Sequence, residues 1–157
     1  MYSAAGILPI AHKQDQLMVL LGSEPSSTGL VWLGFGGKKE AADQNDPEAT
    51  ALRETREEMG DHWLSRAVVL MPIRFFDFRA KYMLYLAWVP YTEELPSFTD
   101  EQAAAQPTLN KRQLAWFPLD SLLNDKEFEL DGAYPIKPWF YQMLQRERYA
   151  IRRACGP

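Results

Sequence analysis

Cysteine is nearly absent. Of 157 residues only Cys155 carries a thiol, so an internal disulfide and a zinc–thiolate cluster are both excluded, and a reducing compartment fits. Histidine is scarce as well, and His12 and His62 stand too far apart to form a motif. Positive charge is not in excess. The 17 Lys and Arg against 21 Asp and Glu leave a net charge of -4, which gives no global field for long nucleic acid. Small polyanions stay admissible if cations cluster locally. Long apolar runs are missing too. The longest, residues 67–73 and 83–90, fall far below the ~20 residues that cross a bilayer. Residues 1–10 lack the basic segment and the longer apolar segment of a secretory signal. No internal repeat, linker or low-complexity tract breaks the chain. The expectation is a soluble, cytoplasmic protein that takes no membrane or long nucleic acid, with its oligomeric state open.

What the chain does hold is apolar and aromatic mass. Hydrophobic residues make up 46% and aromatics 13%, enough for a core without staples at a length that predicts one domain over residues 1–157. Residues 4–10 and 16–21 are apolar on either side of a polar break and predict a hairpin. Residues 23–29, with Pro25, Gly29 and several Ser and Thr, predict an exposed loop. Residues 30–35 predict a short strand that ends in a turn at Gly34, Gly36 and Gly37. Asp46-Pro47-Glu48 is a helix start: Asp caps free N–H groups, Pro suits the first turn, and Glu complements the dipole. That helix runs over 47–59, stops at Gly60, and would bury Ala51, Leu52, Thr55 and Met59. Residues 67–78 and 82–89 predict paired antiparallel strands. Residues 90–107 predict a mobile loop or short helix, 113–117 a further strand, and 138–152 a closing helix with Trp139, Phe140, Met143 and Leu144 inward.

The chemistry lies in Arg53-Glu54-Thr55-Arg56-Glu57-Glu58-Met59-Gly60. On a helix Glu54, Glu57 and Glu58 share one side, because residues three and four apart are neighbours. Like charges at that spacing cost a few tenths of a kcal/mol per pair, and the negative end of the dipole adds to the cost. A divalent cation would turn the repulsion into a binding site, and hard oxygen ligands suit Mg²⁺ or Mn²⁺. The alternative is an ordinary solvated helix face with an Arg53–Glu57 ion pair. Just upstream, Gly36-Gly37-Lys38 places open backbone and one cation where a metal or phosphate could approach.

Together these segments resemble the Nudix box, G-x5-E-x7-R-E-U-x-E-E-x-G-U with U apolar, through Gly37 and the run from Arg53 to Gly60. The spacing from Gly37 to Arg53 is two residues longer than in the family. The isolated box glutamate therefore corresponds either to Asp43, with Gln44-Asn45 inserted, or to Glu40 on a different loop path. Asp61 stands where an apolar residue is usual. The resemblance implies an α/β/α sandwich around a mixed β-sheet. It also implies metal-dependent hydrolysis of a nucleoside diphosphate-linked compound, with Mg²⁺ or Mn²⁺ as cofactor. By that resemblance Glu54, Glu57, Glu58 and the Gly37 carbonyl hold metal, Glu57 helps position water, Arg53 orients the glutamates, and Lys38 contacts phosphate.

Trp32-Leu33-Gly34-Phe35-Gly36-Gly37-Lys38, Trp116-Phe117-Pro118-Leu119-Asp120 and Trp139-Phe140 are also similar to the MutT-like subgroup acting on oxidised purine nucleoside triphosphates. That similarity implies a nucleoside triphosphate converted to nucleoside monophosphate and diphosphate, with Asp131 beside the purine, and by position Trp32 and Phe35 are candidates to stack on a base. The subgroup's further metal-binding glutamate is replaced here by Lys111-Arg112, which read as solvated surface or as a phosphate contact. Glu101 is a candidate replacement acid. A nucleotide sugar or a dinucleoside polyphosphate is an alternative substrate, and a nucleotide-binding module without turnover is an alternative function.

Overall fold

The computed structural model describes residues 1–124 and 135–156. Asp131 lies outside them. The chain runs β1 (Ala4–Lys13), β2 (Gln16–Ser26), β3 (Gly29–Leu33), β4 (Phe35–Lys38), a 3₁₀ turn (Ala41–Asp43) and α1 (Pro47–Glu58). It continues through α2 (Trp63–Arg66), β5 (Val69–Asp77), β6 (Tyr82–Trp88), α3 (Asp100–Ala105), β7 (Leu114–Pro118), α4 (Leu119–Leu122), α5 (Pro138–Arg146) and α6 (Arg148–Cys155). Seven strands form one sheet in the order β3-β2-β1-β6-β5, with β4 also paired to β1 and β7 to β2. The sheet is mixed, because β1 runs parallel to β6 and antiparallel to β2 and β4.

The alternation along β1 shows how the layers form. Leu8 and Ile10 enter a core with Phe140, Met143, Leu144 and Ile151 of α5 and α6. Ala5 and Ile7 point the other way and pack with Ala51 of α1. Both faces of the strand are covered, so its run of buried residues is nearly continuous. This is the α/β/α sandwich around a mixed sheet that the box implies. Among the described residues no helix is long and apolar enough to cross a membrane.

The predicted hairpin forms, with Ile10 opposite Val19 and Lys13 opposite Gln16. The predicted loop over 23–29 does not. Strand β2 continues to Ser26, with Ser23 opposite Trp32 and Pro25 opposite Leu30, while the Ser23 N–H donates to the Gln113 carbonyl at 2.8 Å. Pairing on both sides overrides the local turn composition. The glycine turn is also corrected: Gly36 and Gly37 lie inside β4, opposite Gly6 and Ala5. The predicted closing helix divides at Glu147, which caps α5 and opens α6. Residues 90–107 contain α3, opened by a Thr99–Gln102 capping box.

Helix α1 begins as read. Asp46 accepts the Glu48 N–H at 3.0 Å, and Gly60 leaves the helix at φ +61°, where a β-carbon would be strained. Its buried face holds Ala51, Thr55 and Met59 of the expected stripe and adds Thr50 and Glu58, whereas Leu52 is 41% exposed. Small residues on that face let the helix settle close against β1 and β4.

Candidate active site

That close approach builds the site. Strand β4 carries no side chain at Gly36 and Gly37, and α1 faces it with glutamates. A β-carbon on Gly37 would fall 2.5 Å from Glu54 Cδ and 2.6 Å from each of its carboxylate oxygens. Glycine is therefore what admits the Glu54 carboxylate to the strand. One turn on, Glu58 is 1% exposed and accepts the Gly36 N–H at 2.6 Å.

Arg53 sits at the centre of the acids. Its Nε donates to Asp43 Oδ1 and its Nη2 to Asp43 Oδ2, both at 2.9 Å. Nη1 donates to Glu54 Oε1 at 3.0 Å and lies 3.4 Å from both oxygens of Glu57. Nη2 also reaches the Lys38 carbonyl at 3.0 Å. Asp43 further accepts the Glu40 N–H at 2.9 Å and the Thr50 hydroxyl at 2.8 Å. The Arg53 guanidinium hydrogen bonds hold the Asp43 carboxyl well below the usual carboxylate range. Glu40 is the outer partner, its side chain 60% exposed and 3.6 Å from Arg53. Of the two acids left open by the sequence, Asp43 makes the bidentate pair with Arg53, and Glu40 does not.

Glu58 belongs to a second cation. Lys111 is fully buried, with Nζ 4.0 Å from Glu58 Oε2 and 3.2 Å from Glu24 Oε2. Burial pushes the Glu58 carboxyl up to about 8, against the pull of the Lys111 charge. Burial also raises Glu54, with Arg53 opposing. The Tyr82 phenol, buried near these acids, is pushed up by desolvation and then by Glu58.

The surface reading of Lys111 is overturned, and Glu24 is not among the residues that the sequence offers as site candidates. Local sequence offers no sign that Lys111 is buried. The one hint is position, just ahead of the strand that carries Trp116-Phe117. Arg112 pairs with exposed Asp100 at 2.7 Å.

The aromatic candidates are corrected. Phe35 is fully buried and Trp32 is 3% exposed, both inside hydrophobic clusters, so neither offers a ring face to a base. Lys38 is exposed at the end of β4, and Glu101 is exposed on α3. A cleft of about 470 Å³ opens beside Glu24 and is lined by Asp100, Leu109, Asn110 and Arg112. Glu54 and Glu57 are not part of its wall.

The donor set matches a hard divalent ion: carboxylate and carbonyl oxygens only, with no thiolate or imidazole among them. Arg53 faces Glu40, Asp43, Glu54 and Glu57, a formal excess of three negative charges. A carboxylate has about four acceptor positions, so an Arg53 bond to Glu54 Oε1 leaves capacity for a cation. Among the described residues, however, no three Asp, Glu, His or Cys side chains stand together as a ready-made metal cluster. The fit is to an ion that brings water and substrate oxygens with it, as Mg²⁺ does.

Comparison with known proteins agrees with the geometry. The sequence matches the model of the NUDIX domain over residues 2–140. No curated protein matches it significantly. Among solved structures, the NUDIX domain of Shewanella oneidensis NrtR complexed with ADP ribose superposes with a TM-score of 0.56 at 14% identity, covering 97% of this chain and 89% of that one. A Caenorhabditis elegans Ap4A hydrolase binary complex gives 0.54 at 16%, covering 74% and 80%. A mutT/nudix family protein from Listeria innocua gives 0.53 at 18%, covering 94% and 92%. At these identities the likeness is one of fold.

Proposed function

The chain belongs to the Nudix domain family, and on that premise we propose that it is a metal-dependent pyrophosphohydrolase acting on a nucleoside diphosphate linked to another group. The observation that carries this reading is the Arg53 hub: Glu54 and Glu57 on one face of α1, at Gly37, with more negative charge than the guanidinium balances. Glu54, Glu57 and the Gly37 carbonyl would hold Mg²⁺ or Mn²⁺, with Glu58 behind them. A bound ion would neutralise phosphate charge and lower the pKa of its water.

The chain's own residues supply position and proton handling. Arg53 fixes the rotamers of Glu54 and Glu57 from one side, and Asp43 fixes Arg53. Glu57, with 27% of its side chain exposed, is the carboxylate best placed to orient a water at the surface of the site. Lys38, exposed at the end of β4, offers an ammonium to phosphate oxygens.

The leading substrate is a nucleoside triphosphate, including an oxidised purine, cleaved to nucleoside monophosphate and diphosphate. The two nucleotide-named structural neighbours support the wider class of dinucleoside polyphosphates and nucleoside diphosphate sugars. A panel of all three with Mg²⁺ and Mn²⁺, read by product identification, tests the reading. Turnover that falls on the order of 10²-fold in Glu54→Gln, at the upper end of losses seen when a metal site is perturbed, supports it. Absence of turnover with any of them refutes it.

A second reading, nucleotide binding without turnover, is favoured by one observation: each helical glutamate already faces a resident cation. It predicts thermal stabilisation by nucleotide with no product.

A further inference from the structure

Lys111 is a buried charge that the proposed hydrolysis does not use. Its stem crosses Gly22, where a β-carbon would fall 2.7 Å from Cδ and 2.9 Å from Cε, so β2 carries glycine where the lysine passes. The ammonium lies 5.4 Å from the Phe35 ring centroid. It donates to the Gly34 carbonyl at 2.9 Å, to the Gly22 carbonyl at 3.4 Å and to Glu24 Oε2 at 3.2 Å. Glu58 Oε2 is 4.0 Å away.

An ammonium is strongly hydrated, and burying it is unfavourable unless other oxygens take the place of water. Here two backbone carbonyls and the Glu24 carboxylate accept from it, and Glu58 adds an ion-pair partner at 4.0 Å. The same four oxygens are a hard donor set of the type that Mg²⁺ or Mn²⁺ takes, yet a covalently tethered cation stands among them.

We infer that Lys111 is a built-in cation that replaces a divalent ion beside Glu58, confining exchangeable metal to the Glu54–Glu57 side of α1. The inference rests on the metal-dependent reading above for that second half. It makes Lys111 a positioning residue: it holds Glu58 against the Gly36 N–H and lowers by one the number of divalent ions that the site takes from solution.

The test is a Mn²⁺ titration of metal-free wild-type protein and of Lys111→Met, with free Mn²⁺ followed by electron paramagnetic resonance. Methionine keeps the unbranched stem as far as Cε and removes the ammonium, leaving the four oxygens without a cation. The expected result is one additional bound equivalent in Lys111→Met, and a larger rise in Tm on adding Mn²⁺ than wild type shows. Equal stoichiometry in the two proteins overturns the inference. Wild type binding no Mn²⁺, with one equivalent appearing in Lys111→Met, instead refutes the metal reading of the proposed function and leaves the built-in cation standing.

If Lys111→Met does not fold, wild type labelled with ¹⁵N-lysine decides. The slowly exchanging ammonium signal of a buried lysine persists at saturating Mg²⁺ if Lys111 owns the cage. Its loss on adding Mg²⁺ shows displacement by the ion and refutes the inference.

Discussion

Replacing Asp43 by alanine tests whether the Arg53 hub holds the site together. The substitution removes both bonds to the guanidinium at 2.9 Å and those from the Glu40 N–H and the Thr50 hydroxyl. Taking one partner from a buried ion pair costs roughly 3–5 kcal/mol, since the other charge is left uncompensated. Arg53 is 20% exposed and keeps Glu54 and Glu57, which places the loss at the low end, about 3 kcal/mol. At ~2–4 °C per kcal/mol for a domain of this size, Tm should fall by roughly 6–12 °C. Glu40→Ala is the control. Its exposed pair at 3.6 Å is worth under ~1 kcal/mol, as surface pairs are. Thermal unfolding by circular dichroism reads both. The pH dependence carries a sign: the folded Asp43 carboxyl is depressed, so its contribution is present above the unfolded value of ~3.9 and is lost as pH falls below it. Asp43→Ala should therefore lose less stability than wild type between pH 5 and pH 2. A Glu40→Ala loss equal to that of Asp43→Ala, or an acid limb unchanged by Asp43→Ala, refutes the assignment of the hub.

Two further substitutions probe the same geometry. Gly37→Ala puts a β-carbon 2.5 Å from Glu54 Cδ; overpacking of that kind costs roughly 1–3 kcal/mol, and kcat should fall by more than the stability loss explains because the carboxylate must move, which steady-state kinetics at a temperature well below Tm will show. Arg53→Lys keeps the charge but cannot span Asp43, Glu54 and Glu57 at once, so Mn²⁺ affinity by calorimetry should weaken about 10–100-fold, and unchanged affinity would mean that Arg53 orients nothing.

Sequence reading was strongest where local chemistry decides structure. The Asp46-Pro47 start of α1 and the paired strands β5 and β6 were legible because capping and β-propensity act within a few residues. Leu52 is misplaced because helical spacing gives a stripe but not its centre: the close packing of α1 on β1 and β4 keeps Ala51 and Thr55 inside and turns Thr50 and Glu58 inward in place of Leu52. Ser23 is misread because one of its two strand partners, Gln113, comes from 90 residues along the chain. Within the site, the glutamates and Asp43 could be named but not sorted. Trp32 and Phe35 read as ligand contacts by position, yet tertiary packing buries both rings. Lys111 was beyond reach for the same reason as Ser23: its partners are Gly22, Glu24, Gly34 and Glu58, none of them near it in sequence.

The electrostatics of α1 bear on how a chain of net charge -4 could take the polyphosphate ligand proposed for it. Charge is not spread along the helix but partitioned. Arg53 takes Asp43, Glu54 and Glu57 on the accessible side, and Lys111 takes Glu58 on the buried side. On the buried side low dielectric strengthens the attraction but also raises the penalty for any unpaired charge, so a tethered ammonium that cannot diffuse away is the stable arrangement. On the accessible side the excess of acid over guanidinium persists, screened by water, and on the proposed reading a divalent ion and a phosphate would arrive there together. An ion bound only in that way would carry its own charge to the substrate, and the net charge of the chain would then say nothing about the sign of the ligand. What matters is which carboxylates the resident cations leave incompletely neutralised, and on the accessible side a single guanidinium is shared among Asp43, Glu54, Glu57 and the more exposed Glu40.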